Sequence, residues 1–283
     1  MKCICCDNEL RLVGDMGGYD FFHCKKCGFY TTRQNGGELP RFKYEDNPAF
    51  QNEQQNWGVY VEEATKIMKY KIQYIRKNIE FIKDNCPRAL DIGCSEGIYV
   101  QALSNLGFDA YGFEVDEPKV ARARDKGLKI TTPQYEKFKG NSFDFIMSRQ
   151  VLEHIPNFMK ILEDAVFLLK PGGVLYVETP NLESLLSLIK KRKIGMTSWG
   201  APGLAHVYPP THIHGFTPTA WDNVGEKLGL REIDVITYAP TDGNWTIQSF
   251  YKRKLLNQMF FFIGTIIGRG ENVAVTFIKP IEK

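Results

Sequence analysis

Five of the seven cysteines in this 283-residue chain fall in its first 27 positions, and four of them are paired: Cys3-x2-Cys6, seventeen residues, then Cys24-x2-Cys27. Each CxxC pair can fold back to offer two sulfurs to one ion, and two pairs at this separation have the spacing of a tetrahedral zinc site. Four thiolates fill the coordination shell, so such an ion is structural. Between the pairs, Gly14, Gly17 and Gly18 supply turns and Tyr19, Phe21 and Phe22 supply strand character, which suits a ribbon; Gly28 fits a knuckle turn behind Cys27. Two disulfides are the competing reading. The start Met1–Asp7 has no apolar leader, which points to a cytoplasmic, reducing setting and against disulfides. On spacing, Cys5 and His23 are weaker substitutes for members of the set.

A second run carries different chemistry. Arg88-Ala-Leu-Asp-Ile-Gly-Cys-Ser-Glu-Gly97 reads as a short apolar strand, Ala89–Ile92, a turn bracketed by Gly93 and Gly97, and a helix from Ile98 to Leu106. Strand, glycine turn and helix form the ligand-binding crevice of an open α/β sheet, where glycine permits close approach and the helix start offers unpaired N–H groups. The spacing Gly-x-x-x-Gly is not the dinucleotide fingerprint, and no Lys-Ser/Thr pair closes it as in a phosphate loop. Asp109–Asp116 is a second strand ending in acid. Glu114, 23 residues after Asp91, stands where a carboxylate can accept hydrogen bonds from both hydroxyls of a ribose.

The histidines form a third group. His154 follows a strand, while His206, His212 and His214 crowd into nine residues around Tyr208-Pro-Pro. A histidine titrates near neutrality and can serve as a base; His154 is the first choice, with His212 or His214 next. Alternatively, Glu153 and His154 could help hold a divalent ion, though the sequence offers no clear third ligand.

The elements that must position these groups are legible as alternating strands and helices. A helix is predicted over 62–83, with Ala64, Met68, Ile72, Ile75, Ile79 and Ile82 at three- and four-residue spacing. Leu128–Thr131 suits a third strand and Asn141–Ser148 a fourth. Asn157 is placed to cap a helix bearing Phe158, Ile161, Leu162, Ala165, Leu168 and Leu169, which Lys170-Pro-Gly-Gly173 stops. Thr217 can cap the helix of Trp221, Val224 and Leu228; Arg231–Tyr238 and Val273–Ile278 are the last two strands. This alternation predicts a parallel sheet with right-handed crossovers.

Residues 86–180 carry these motifs in order and resemble the class I S-adenosylmethionine-dependent methyltransferases. The segments Asn141–Ser148, Val151-Leu-Glu-His-Ile-Pro-Asn157 and Leu168–Glu178 support the likeness. It implies a doubly wound, Rossmann-like α/β fold with a seven-stranded, mostly parallel sheet behind a small N-terminal zinc ribbon. It also implies that Asp91, Gly93, Cys94, Ser95 and Gly97 shape the pocket for the methionine part of S-adenosylmethionine, that Glu114 holds the ribose, and that Val115 lies beside the adenine. Ser148, Arg149 and Gln150 then lie near the sulfonium or the acceptor. An acid that the family often places after the third strand is matched only by Glu136, out of register.

The expected organisation is a ribbon over 1–34, a linker or lid arm over 35–62, and a methyltransferase domain over 63–283, with a substrate-lid insertion at 181–216 and an apolar insertion at 239–270. A ribbon ahead of such a domain resembles bacterial enzymes that methylate sugars or other small metabolites. A small-molecule, saccharide-like acceptor methylated on oxygen or nitrogen is therefore expected, with carbon as a further option. RNA is the second reading, but residues 1–34 hold five basic against four acidic residues, and four thiolates around Zn²⁺ bring the module to −1, no footprint for a phosphate backbone. A non-catalytic scaffold is the third. No apolar run reaches the roughly 20 residues of a membrane span. The apolar stretch 255–267 is open to three roles: packing on the domain, homodimerisation, or peripheral docking on a membrane surface.

The cysteine spacing sets the first test. Elemental analysis of the purified protein is expected to give about one zinc per chain; a value well below that removes the metal from the ribbon.

Overall fold

Strand periodicity explains the layering. On one long strand, Val174 and Tyr176 join an apolar cluster with Phe145, Met147 and Ala274, while Leu175 and Val177 join a second with Leu90, Ile92, Phe113 and Val275. Alternate residues point to opposite faces, so a sheet that is apolar on both faces must be covered on both. The structure, a computed structural model, describes residues 1–35, 56–78, 86–185, 187–188, 206–238 and 263–281. Three strands come first, β1 Leu10–Met16, β2 Tyr19–Cys24 and β3 Tyr30–Gln34, followed by helix α1 Trp57–Asn78. Then come β4 Arg88–Ile92, α2 Ile98–Asn105, β5 Asp109–Phe113, α3 Glu117–Asp125 and β6 Ile130–Thr131. β7 Phe143–Arg149, α4 Phe158–Leu168, β8 Leu169–Pro180 and β9 His214–Gly215 follow. α5 Pro218–Lys227, β10 Arg231–Tyr238 and β11 Asn272–Ile278 complete the order.

The main sheet has seven strands in the order β10-β11-β8-β7-β4-β5-β6, with β11 antiparallel to both neighbours and the remaining pairs parallel. This is the expected mostly parallel, doubly wound sheet. Helices α1, α2 and α3 cover one face through Met68, Ile72, Ile75, Val100, Leu103 and Val120; α4 and α5 cover the other through Phe158, Leu162, Ala165, Trp221 and Val224. Each such large apolar side chain contributes about 1.5–3 kcal/mol by leaving water.

The ribbon is joined to this domain more closely than its separate expectation suggested. β1, β2 and β3 form an antiparallel sheet whose fourth strand is β9, with Tyr30 opposite Gly215 and Thr31 opposite His214. Cys3, Cys24, Cys27 and Phe29 share one apolar cluster with Phe216 and Trp221 of the larger domain. Thr217 fastens the junction: its hydroxyl donates to the Cys27 carbonyl at 2.5 Å and accepts from the Ala220 N–H at 3.0 Å, capping α5 as predicted.

Two boundaries and one cap differ from expectation. α1 begins at Trp57, five residues early, because the Trp57 ring packs on the α1–α3 cluster and takes the Lys126 ammonium over its face. The third strand shrinks to Ile130–Thr131, while Leu128 turns into the core instead of pairing. Asn157 precedes α4 but makes no capping hydrogen bond; fully buried Phe158 anchors that helix start. The expected tail of α1 at 79–83, most of the 35–62 arm, 189–205 of the lid and 239–262 of the apolar insertion lie outside the described residues. Of the apolar stretch 255–267, Ile263–Ile267 is described, and Ile263, Ile266 and Ile267 are exposed. Among the described residues no helix is long and apolar enough to cross a membrane.

Thr217→Ala is expected to lower stability by about 1–2 kcal/mol in chemical denaturation, the cost of losing a cap, while Thr217→Ser retains most of it. Equal stability of all three proteins removes Thr217 from the junction.

Candidate active site

Five parallel strands, β8, β7, β4, β5 and β6, end along one edge of the sheet, and the candidate residues gather on the segments that leave it. After β4 the chain turns sharply: the N–H groups of Gly93 and Cys94 both donate to the Phe113 carbonyl of β5, at 2.8 and 3.0 Å. Two glycines make that turn possible. Gly93 has φ 77°, and a Cβ there would lie 2.4 Å from a Val151 methyl; Gly97, at φ 89°, would press on Ile130 at the same distance. Side chains rarely adopt this backbone and have no room here.

Glu114 closes the turn from the neighbouring strand. Its carboxylate is 8% exposed and accepts from three backbone N–H groups: Ser95 at 2.8 Å, Val115 at 2.9 Å and Asp116 at 3.0 Å. Val115 beside it is 78% exposed, a large apolar side chain on the surface at the sheet's carboxyl edge. Asp91 is buried under the turn; burial pushes its carboxyl up to about 7, with Arg149 lowering it and Glu114 raising it.

Two strained residues stand at this edge. Ser95 has φ 49° and Gln150 φ 53°, left-handed values uncommon outside glycine. The Ser95 hydroxyl and the Gln150 amide nitrogen are buried atoms with no hydrogen-bond partner among the described residues. Buried polar groups normally find partners. Together with the exposed Val115 side chain and the Glu114 carboxylate, these two atoms gather unsatisfied polar, apolar and charged groups at one edge of the sheet.

The other expected cofactor neighbours are engaged with the protein. Ser148 donates to the Ile92 carbonyl. Arg149 makes two bonds to Glu178, at 2.9 and 3.0 Å, and lays its guanidinium over the Tyr99 ring at 4.0 Å. Glu178 is 1% exposed and also accepts from the Tyr176 hydroxyl, with Lys71 at 3.5 Å. Burial opposes its charge, yet Arg149 and Lys71 hold it well below the usual carboxylate range. The sequence reading missed this pair, whose only signal was an arginine and an acid at the ends of adjacent strands. Lys71, Arg149, Tyr176 and Tyr238 also line a cavity of about 300 Å³ between α1 and strands β8, β10 and β11. Glu136 is exposed in a short turn.

The histidines separate by environment. His214 is buried among Phe29, Phe158 and Phe216; Nδ1 lies 3.0 Å from the Thr31 hydroxyl and Nε2 3.0 Å from the Ile155 carbonyl, so both nitrogens tie the ribbon to the domain. His206 pairs with Glu271 at 3.1 Å. His154 and His212 meet edge to face, centroids 4.6 Å apart, with the Glu153 carboxylate beside them. Burial lowers His154 and takes His212 down to about 3, and it raises Glu153 to about 8. The side chain that the structure sets beside the Glu153–His154 pair, which the sequence did not offer, is thus His212, 58 positions along the chain.

In the ribbon, the sulfurs of Cys3, Cys6, Cys24 and Cys27 all lie within 4.8 Å of one another. Three of the separations are 3.6, 3.4 and 3.5 Å, for Cys3–Cys27, Cys6–Cys24 and Cys6–Cys27. Bonds of about 2.3 Å to a tetrahedral zinc give sulfur–sulfur edges of about 3.8 Å, so the four suit that ion. Cys5 is buried outside the set, and His23 stacks on Tyr30.

Known proteins agree with this geometry. A family model described as a methyltransferase domain matches residues 62–235. A ubiquinone biosynthesis O-methyltransferase of Caulobacter vibrioides is 26% identical over 203 residues, covering 63% of this chain and 77% of that one. Its counterpart in a Chelativorans species is 28% identical over 236 residues, 76% and 88% of the two chains. Among solved structures, an S-adenosylmethionine-dependent methyltransferase from Archaeoglobus fulgidus superposes with a TM-score of 0.50 at 17% identity, covering 82% of this chain and all of that one, which speaks to the fold. A tight glycine turn at the carboxyl edge of the sheet, a seven-stranded sheet with one antiparallel strand, and a family match over more than half of the chain converge: the protein belongs to the methyltransferase-domain family and is an S-adenosylmethionine-dependent methyltransferase.

Proposed function

We propose that the enzyme methylates a hydroxyl oxygen of a small, saccharide-like acceptor, and that a zinc ion in its Cys3–Cys6–Cys24–Cys27 ribbon is structural. The observation that carries the reading is the convergence, at one sheet edge, of the glycine turn, the Glu114 carboxylate and the His154 segment: Gly93 packs on Val151, three residues before His154. Oxygen as the acceptor atom is supported by relatives whose described activity is O-methyl transfer. A small acceptor is supported by a ribbon whose net charge, with its metal, is −1. A saccharide is supported by the ribbon-plus-domain organisation, which resembles enzymes that methylate sugars.

When bound, S-adenosylmethionine supplies an activated methyl on a sulfonium sulfur. The protein's task is to hold that methyl in line with the acceptor oxygen and exclude water. Glu114 accepts the ribose hydroxyls. A carboxylate has about four lone-pair sites, and three backbone bonds leave roughly one open, so a second ribose bond displaces one of them. Val115 supplies an apolar face for the adenine. Asp91, Gly93, Cys94, Ser95 and Gly97 shape the methionine end, where the Ser95 hydroxyl and Gln150 amide gain partners. Ser148 and Arg149 act behind them, through Ile92 and Glu178. At the acceptor, His154 is the activating residue. Its Nδ1–H donates to the Thr211 carbonyl at 2.8 Å, which places the neutral ring's lone pair on Nε2. His214, with both nitrogens engaged, is left to its junction role.

Two measurements test this. Calorimetry is expected to give one S-adenosylmethionine per chain, with Glu114→Ala weakening it by about tenfold or more, since hydrogen bonds to a charged group contribute about 1.5–3 kcal/mol each. His154→Ala is expected to lower turnover by about a hundredfold or more with cofactor affinity nearly unchanged; full turnover in that variant excludes His154 from acceptor activation.

A further inference from the structure

Glu153 is 1% exposed, and neither carboxylate oxygen has a hydrogen-bond partner among the described residues. An isolated buried carboxylate is costly, and buried charges are ordinarily paired or bound to metal. The groups nearest this one have the chemistry of metal ligands. His154 Nε2 lies 3.8 Å from Glu153 Oε1, and one ligand atom from each of Glu153, His154 and His212 lies within 4.8 Å of the other two.

Both imidazoles are already oriented for that task. His154 Nδ1 donates to the Thr211 carbonyl at 2.8 Å and His212 Nδ1 to the His206 carbonyl at 3.0 Å. Metal-binding histidines are held in this way, with the second ring nitrogen on a carbonyl and the lone pair on the first. The backbone holds the two segments together as well, through the Ile213 N–H on the Glu153 carbonyl at 2.9 Å, and within the second segment Tyr208 and His212 exchange backbone hydrogen bonds at 3.1 and 3.3 Å. The Tyr208 hydroxyl sits 3.1 Å from His212 Nε2 and, with its side chain 43% exposed, can yield that nitrogen.

We infer that Glu153, His154 and His212 bind a divalent cation of the zinc class, in a site separate from the ribbon. Two imidazoles and one carboxylate suit such an ion, and three protein ligands leave a position open. The ion's role rests on the acceptor reading above. The acceptor oxygen occupies the open position, its O–H bond breaks with the proton passing to solvent water, and it bonds to the methyl carbon as the carbon–sulfur bond breaks, leaving the neutral thioether of S-adenosylhomocysteine. His154 then activates the acceptor as a ligand of the ion.

Equilibrium dialysis of the full-length protein against free Zn²⁺, followed by elemental analysis, tests the site. The native protein is expected to hold one more zinc per chain than Glu153→Gln and His212→Asn, whatever the ribbon holds, since the ribbon is common to all three. Equal zinc in the three proteins overturns the inference. S-adenosylmethionine binding by calorimetry, run on the same samples, checks that the variants are folded and keeps the two readings apart. Equal zinc with normal cofactor binding and native turnover unaffected by chelation leaves the acceptor reading standing and removes the ion. A zinc difference with no cofactor binding in any of the three keeps the ion and removes the transferase reading.

Discussion

The carboxylate of Glu114, held by three backbone N–H groups, is the constraint on which the active edge depends. It ties the end of β5 to the turn after β4, because one of its donors is Ser95 inside that turn and the other two are its own successors, Val115 and Asp116. The carbonyl of Phe113, one residue earlier, takes the N–H groups of Gly93 and Cys94. Two adjacent strands therefore specify each other's exits, and the turn can keep Ser95 in a left-handed conformation that an isolated loop would relax. The arrangement leaves a mostly satisfied carboxylate beside exposed Val115 at the carboxyl edge of the sheet.

Three strands over, on β8, a second buried carboxylate is handled differently. Glu178 receives Arg149 bidentately, with Tyr176 and Lys71 behind it. Removing one partner of such a pair leaves an uncompensated buried charge, so the pair constrains where β7 and β8 end even if it adds little net stability. Arg149 also reaches Tyr99 at the start of α2. The helix that follows the glycine turn is thereby braced from the neighbouring strand, and the pocket walls are set by charge pairing as much as by apolar packing.

How much of this was legible depended on range. Where a signal is local, the sequence sufficed: the glycines of the turn, the acid ending β5, the limits of β10 and the Thr217 cap follow from periodicity, φ requirements and hydrogen-bonding capacity within a few residues. Where it depends on partners far along the chain, it did not. Trp57 starts α1 early because of Lys126. Arg149 finds Glu178 only once β7 and β8 are paired, and His212 joins Glu153 and His154 across 58 positions through a loop that no period describes. The three clustered histidines looked alike in sequence; only the tertiary surroundings divide His214, wedged among phenylalanines with both nitrogens bonded, from His212, edge to face with His154.

That division gives the ribbon a reason to be where it is. Strand β3 pairs with His214–Gly215, and Thr32 binds the Ile213 carbonyl through its N–H at 2.9 Å and its hydroxyl at 3.3 Å. The N–H of the same Ile213 donates to the Glu153 carbonyl. One residue thus links the ribbon sheet on one side to the Glu153–His154 turn on the other, and His212 is its immediate neighbour. The segment 206–216 has little regular structure of its own beyond a two-residue strand and two isolated bridges, so its course is set by what it binds at each end. A ribbon this small cannot hold its shape on apolar burial alone. Whatever fixes the four thiolates therefore also fixes β3, and through β3 the position of His212 relative to His154. The cysteines thereby act at a distance, as the rigid end of a hydrogen-bonded path that reaches Glu153, His154 and His212.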